Sequence, residues 1–325
     1  MTRINLAIIG CGGIVRSVHA AHLASIPTIH VRACMDLVEA NARQIATQVG
    51  AEYHTTDLQR VLTDDAVDAV LIATLAETHV AISMQAATAG KAVFSEKPMG
   101  CEVEECQRLM QCLEQTKVPY MTGYCYRFNK AVTRIQPLIQ PGFSWVHVIA
   151  PSENPGIYYG WINNLCHALD LVRVFHRCEP VEIRAEGDGA PAGQIDTRNP
   201  ARLAVTVRFQ DQSLAVIALG QQNPSLFMGK WYYKFCGANG RTAEIVNYRR
   251  ATFHTLDPQE NVDYADETIY HSGHRMELEM FADCLLQHQP MPISIRDAFM
   301  VNVMMAAVKR SYESSQPVSI ADIAQ

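Results

Sequence analysis

From residue 4 to residue 123, apolar runs of strand length alternate with helical patterns, and this alternation leaves few folds open to the chain. Residues 4–9 are continuously apolar, Gly10-Cys11-Gly12-Gly13 form a turn, and a helical pattern follows through Ile26. Further strand-like runs at 31–35, 69–73, 92–94 and 120–123 are separated by helical segments near 39–49, 79–89 and 103–115. Strands covered on both faces read as unbroken apolar runs, and parallel neighbours need a crossover, usually a helix. The first part is therefore predicted to be an α/β domain over residues 1–122, a doubly wound parallel sheet of Rossmann type.

After Gly123 the pattern changes. One helical stretch, 163–175, is followed by runs rich in β-branched and aromatic residues at 181–185, 203–209, 214–218, 231–235 and 242–247. Turn signals such as Gln210-Asp211-Gln212 and Gly237-Ala238-Asn239-Gly240 join them, and helices near 275–286 and 296–313 close the chain. This predicts a C-terminal α+β domain, residues 123–325, with a large, open, mostly antiparallel sheet. A chain of 325 residues accommodates both.

A net charge of −6 without a long basic block argues against nucleic acid as a partner. The first residues lack a signal-peptide pattern, and no apolar stretch approaches the roughly 20 residues that span a bilayer. The ten cysteines show no C-x-x-C pair and read as reduced thiols. A cytoplasmic protein without a membrane partner is expected. His19 and His22 share a helix face but lack a third ligand, so no metal is expected.

Glycines at a strand-to-helix turn let backbone N–H groups approach a pyrophosphate. Gly10 and Gly12 match the dinucleotide fingerprint, whereas Val15 stands where a third small residue is usual, so an ordinary tight turn remains the alternative. Asp36 follows the second strand at the distance suited to the adenosine ribose hydroxyls. Its charge repels a 2′-phosphate, and no arginine directly follows it, so NAD is favoured over NADP. The competing reading of Asp36 is a cap for the helix that begins near Glu39.

The stretch AGKAVFSEKPMG, residues 89–100, ends a buried strand in Glu96-Lys97-Pro98. Together with the glycine turn and His19, ATLAETHVAISMQAATAGKAVFSEKP at 73–98, GYCYRFN at 123–129, HALD at 167–170 and the tail ELEMFADCLL, it resembles the Gfo/Idh/MocA family of sugar and polyol oxidoreductases over nearly the whole chain. The resemblance implies cofactor contacts from Gly10, Gly12, Gly13, Ile14, Asp36, Thr74, His79, Glu96 and Lys97, with a cis Lys97–Pro98 bond. It implies Lys97 and His167 as catalytic residues, with Asn163 as the third member of the set: an ammonium that steadies charge on a substrate oxygen, and an imidazole that exchanges the hydroxyl proton. Asn163 stands where family members with polyol dehydrogenase activity usually have an aspartate, one turn before His167. An amide orients but does not ionise. Asp170 is read as support for His167.

Substrate contacts are expected from Tyr124, Arg127, Tyr159, Trp161, Asn163 and His167. Loop packing is the blander reading for Tyr159 and Trp161, and a salt bridge between domains for Arg127. The resemblance also implies a homodimer or homotetramer formed through an open face of the C-terminal sheet. The expected function is hydride transfer between NAD and a carbinol or carbonyl carbon of a sugar, inositol or related small polyol. The alternatives are an NAD-assisted lyase or glycosidase with transient substrate oxidation, and a dinucleotide-binding sensor without catalysis.

Overall fold

A computed structural model of the chain describes residues 2–149, 162–188, 202–220, 230–254, 261–264 and 273–324. The chain divides into two compact units, Met1–Cys125 with Gly273–Asn302, and Tyr126–Ser272 with Val303–Gln325.

In the first unit, β1 (Ile4–Ile9), β2 (Ile29–Met35), β3 (Tyr53–Thr55), β4 (Ala69–Ile72), β5 (Ala92–Glu96) and β6 (Tyr120–Gly123) form one sheet of order β3-β2-β1-β4-β5-β6. All five pairings are parallel, as the alternation predicts. Every residue of β4 and β5 is buried, which is why their sequences do not alternate. The crossovers are α1 (Ala20–Leu23), α2 (Glu39–Val49), α3 (Leu58–Leu62), α4 (Ala76–Thr88) and α5 (Val103–Thr116). The start of α5 is set by a capping box between Glu102 and Glu105, and α2 stops where Gly50 turns left-handed at φ 71°. The helix after the glycine turn departs from expectation: a π-helical turn, Val15–His19, leads into α1, which ends at Leu23 rather than Ile26. The three-residue β3 and five-residue α3 are too short to show a period in the sequence.

α8 (His274–Gln287) also belongs to this unit, far from it in sequence. It packs against α1, β1 and β6, and Phe281 meets Phe94 edge-to-face at 5.5 Å. Full burial of Phe281 contributes about 2 kcal/mol, which helps draw the segment back onto the parallel sheet.

In the second unit, β7 (Gly142–Ile149), β8 (Pro180–Asp188), β9 (Arg202–Phe209), β10 (Leu214–Gly220), β11 (Trp231–Gly237), β12 (Thr242–Val246), β13 (Arg250–Phe253), β14 (Val262–Asp263) and β15 (Val318–Ser319) form one sheet of order β14-β13-β12-β11-β7-β10-β9-β8-β15. The pairing is antiparallel throughout except at the centre, where β7 lies parallel to β10. The strand β7 is absent from the sequence expectation, because Phe143, Trp145 and His147 alternate with Ser144, Val146 and Val148 and blur an apolar run. α7 (Ile162–His176) packs on β7 and β10, and Phe175 stacks on Phe235 at 3.6 Å. The opposite face carries Phe143, 42% exposed, and Trp145, 40% exposed. Their cross-strand neighbours are Leu214 and Val216, and Trp145 meets Tyr232 edge-to-face at 5.9 Å. A short helix α6 (Lys130–Ile135) is capped by Asn129, and α9 (Ile295–Ser314) runs from the first unit's segment into the second's.

Candidate active site

The glycine turn follows β1 at its carboxyl end. Gly10 has φ 90°, and a Cβ there would lie 2.7 Å from the Ala73 carbonyl oxygen, so only glycine fits. A Cβ built on Gly12 or Gly13 meets nothing within 4 Å, so the turn is uncrowded at these two residues. Val15, in the position of the fingerprint's third small residue, is buried at the start of the π-helical turn, and Ile14 beside it is half-buried.

Asp36 sits just beyond β2 and braces this turn. Its Oδ2 accepts the Cys11 N–H at 2.7 Å, and its Oδ1 accepts the Val38 N–H at 2.8 Å. Two side chains that the sequence did not single out, Leu37 and Leu75, are 84% and 70% exposed at the carboxyl ends of β2 and β4, the two neighbours of β1. Open glycine backbone, an acidic side chain and a pair of exposed leucines fit a dinucleotide: donors for the pyrophosphate, an acceptor for the ribose and apolar surface for the base.

Lys97 is half-buried immediately after β5, and its bond to Pro98 is cis. The residues around it are braced. Glu96 is buried and its Oε1 lies 2.6 Å from Nε2 of His19. Burial pushes the Glu96 carboxyl up, but the hydrogen bond and charge of His19, then Lys97, bring it down to about 2. The Lys97 N–H donates to Glu96 Oε2 at 3.2 Å. His79, also buried, donates from Nδ1 to the Pro98 carbonyl at 2.8 Å, with Nε2 3.3 Å from the Thr74 carbonyl. Burial lowers the His79 pKa, so this link is made by a neutral ring. Thr74 in turn accepts from Thr78 Oγ1 at 2.7 Å. Of the expected cofactor residues, His79 and Glu96 thus hold the loops after β4 and β5 in place.

In the second unit His167 lies on α7, only 6% exposed, inside an aromatic cage. Tyr126 approaches its ring at 4.5 Å and Trp231 at 6.1 Å, while Tyr126 stacks on Tyr248 at 3.7 Å. Trp231 and Tyr248 come from strand and turn segments far along the chain, and only their aromatic character marked them in the sequence. Arg127 makes a bidentate pair with buried Asp170, Nε to Oδ2 at 2.9 Å and Nη2 to Oδ1 at 2.5 Å. Arg127 does form a salt bridge, but within the second unit rather than between domains as the alternative reading had it, and the pair anchors α7 one turn beyond His167. Asn163 lies on α7 one turn before His167. Tyr124, in the first unit, is fully buried. Tyr159 and Trp161 lie outside the described residues.

Comparison with known proteins adds to this geometry. Residues 4–124 match the model of an oxidoreductase family with an NAD-binding Rossmann fold. A myo-inositol 2-dehydrogenase of Thermotoga maritima is 24% identical over 341 residues, covering 98% of this chain and 99% of that protein. An uncharacterized oxidoreductase of Streptococcus pneumoniae is 31% identical over 263 residues, 71% of this chain and 69% of that protein. Among solved structures, scyllo-inositol dehydrogenase from Lactobacillus casei with bound NAD(H) and scyllo-inositol superposes with a TM-score of 0.80 at 19% identity, over 98% of this chain and 99% of that one, a likeness of fold.

Proposed function

The chain belongs to the Gfo/Idh/MocA oxidoreductase family, and from that membership we propose a dehydrogenase that moves hydride between NAD and a ring carbinol or carbonyl of an inositol, sugar or related small polyol. The observation that carries the reading is the braced Glu96-Lys97-Pro98 corner at the carboxyl end of β5, in a sheet whose glycine turn and Asp36 suit NAD. Bound NAD supplies the hydride acceptor at C4 of its nicotinamide. Lys97 hydrogen-bonds the substrate oxygen and steadies the charge that develops there. His167 takes the hydroxyl proton during oxidation and returns it during reduction, and Asn163 orients the hydroxyl or the imidazole without itself ionising. Asp36 favours NAD over NADP. The named inositol dehydrogenases among the relatives support the polyol class, and favour net oxidation over transient oxidation within a lyase or a sensor without turnover.

Nucleotide binding is assigned to residues 1–122, and substrate binding and oligomerisation to 123–325 apart from the 273–302 segment that packs with the first unit. The exposed Phe143–Trp145 face suits burial against a second copy, a homodimer or homotetramer that light scattering at micromolar concentration would detect. Among the described residues no helix is long and apolar enough to cross a membrane, and none of the ten cysteines is in a disulfide, which suits a cytoplasmic setting. The test is stoichiometric NADH formation across a panel of inositols, aldoses and polyols. Turnover that needs only catalytic NAD, or NADH binding without turnover on any member, overturns the reading.

A further inference from the structure

Behind the Glu96–Lys97 corner lies a second group of side chains for which the oxidoreductase reading has no use. Cys125 follows β6, and His274 and Glu277 occupy the first turn of α8, three residues apart and so on one helix face. The residues are 2%, 7% and 0% exposed. One ligand atom from each, a sulfur, an imidazole nitrogen and a carboxylate oxygen, lie within 4.8 Å of one another. We propose that Cys125, His274 and Glu277 bind a divalent transition-metal ion of the zinc class, which fastens the carboxyl end of β6 to the start of α8.

Two observations support the site independently of its geometry. Neither carboxylate oxygen of Glu277 nor Nδ1 of His274 has a hydrogen-bond partner among the described residues, although both side chains are more than nine-tenths buried. A buried polar group in that state costs roughly 1–3 kcal/mol, more if charged, and a metal ligand bond removes the penalty. Finally, one sulfur, one imidazole and one carboxylate form a borderline-soft set, suited to zinc rather than to magnesium or calcium. Tetrahedral bonds of about 2.0–2.3 Å require the ligand atoms to sit about 3.3–3.8 Å apart, so the cluster closes by about 1 Å on binding and keeps a fourth position for water or another donor. The absence of a metal expected from the sequence concerned His19 and His22; the fold assembles a different set.

The site needs no assumption about the reaction, and its test does not read activity. The full chain, stripped with chelator and handled without oxygen, is titrated with Co²⁺ and then with Zn²⁺. The expected result is one equivalent of Co²⁺ per chain, a thiolate-to-cobalt charge-transfer absorption in the near ultraviolet, displacement by Zn²⁺, and a melting temperature raised by Zn²⁺. Cys125→Ser and Cys125→Ala should abolish the absorption, and Glu277→Gln should weaken Co²⁺ binding at least about tenfold through loss of an ionised ligand. Circular dichroism melts establish that each variant is folded, and Glu277→Gln decides the matter if both Cys125 variants unfold. No uptake by the wild type overturns the proposal, as does a charge-transfer band that survives in Cys125→Ala or an unchanged isotherm in Glu277→Gln. Those outcomes would make Glu277 a buried protonated acid, and would leave the dehydrogenase reading untouched.

Discussion

His19 Nε2 lies 2.6 Å from Glu96 Oε1, both side chains buried, across 77 residues of sequence. The pair ties the helix after the glycine turn to the end of β5, and so connects the two corners at which cofactor and substrate chemistry are proposed. Removing the imidazole leaves a carboxylate without its main partner in a site of low polarity. His19→Ala is expected to lower unfolding free energy by about 3 kcal/mol or more, and His19→Gln, which keeps a donor, by less. Urea denaturation measures both; a loss below about 1 kcal/mol for His19→Ala would make the pair incidental.

Asp36 has two tasks, because the carboxylate proposed to face the ribose also accepts the Cys11 N–H of the glycine turn at 2.7 Å. Asp36→Ala should weaken NADH binding about tenfold, the scale of one charge-assisted hydrogen bond, with NADPH binding affected less, so that the preference for NADH narrows. Fluorescence titration with both nucleotides reads this directly. A wild type that prefers NADPH would refute the assignment of Asp36.

Lys97→Ala is expected to reduce turnover by two orders of magnitude or more, about 3 kcal/mol of transition-state stabilisation, and to leave NADH affinity within a few-fold. Lys97→Arg tests position against charge, since a planar guanidinium replaces a compact ammonium. Near-normal turnover of the alanine variant would reduce Lys97 to a charge at a strand end.

Asn163 and His167 share α7, one turn apart. Asn163→Asp introduces a carboxylate one helical turn from His167, and on the proposed mechanism it should favour the protonated imidazole and move the histidine-linked inflection of kcat/KM upward by about one pH unit. The pH profiles of wild type and variant, measured in both reaction directions, provide the comparison. An unmoved inflection, with His167→Ala also harmless, would remove this helix from the proton transfer.

His176 yields a prediction about acid stability. Its Nε2 lies 2.8 Å from Ser144 Oγ and its Nδ1 2.6 Å from Ser213 Oγ, and the ring stacks on Phe209 at 4.2 Å. Burial holds its pKa down to about 4, against an ordinary 6.5, with Asp211 opposing the shift. Between those values the unfolded chain binds the extra proton and the folded chain does not, so this residue makes stability fall as pH falls, by up to about 3 kcal/mol. His176→Gln should flatten that part of the pH dependence of urea unfolding. An identical slope in wild type and variant would show that other groups govern it.

The parallel sheet, the glycine turn, the strand-end position of Lys97 and the helix that carries His167 were all legible in the amino-acid order. Each rests on a local period or a turn residue, and full burial of β4 and β5 makes the period plain. Gly10 belongs with them, because its positive φ is a property of one residue. Tertiary structure alone decided that β7 runs parallel to β10 at the centre of the second sheet, that Arg127 faces Asp170, that Trp231 and Tyr248 enclose the Tyr126–His167 pair, and that α8 brings His274 and Glu277 beside Cys125. Those relationships join residues tens to more than a hundred positions apart. Periodicity states which face of an element is buried, but strand register and the packing of buried side chains choose what that face meets.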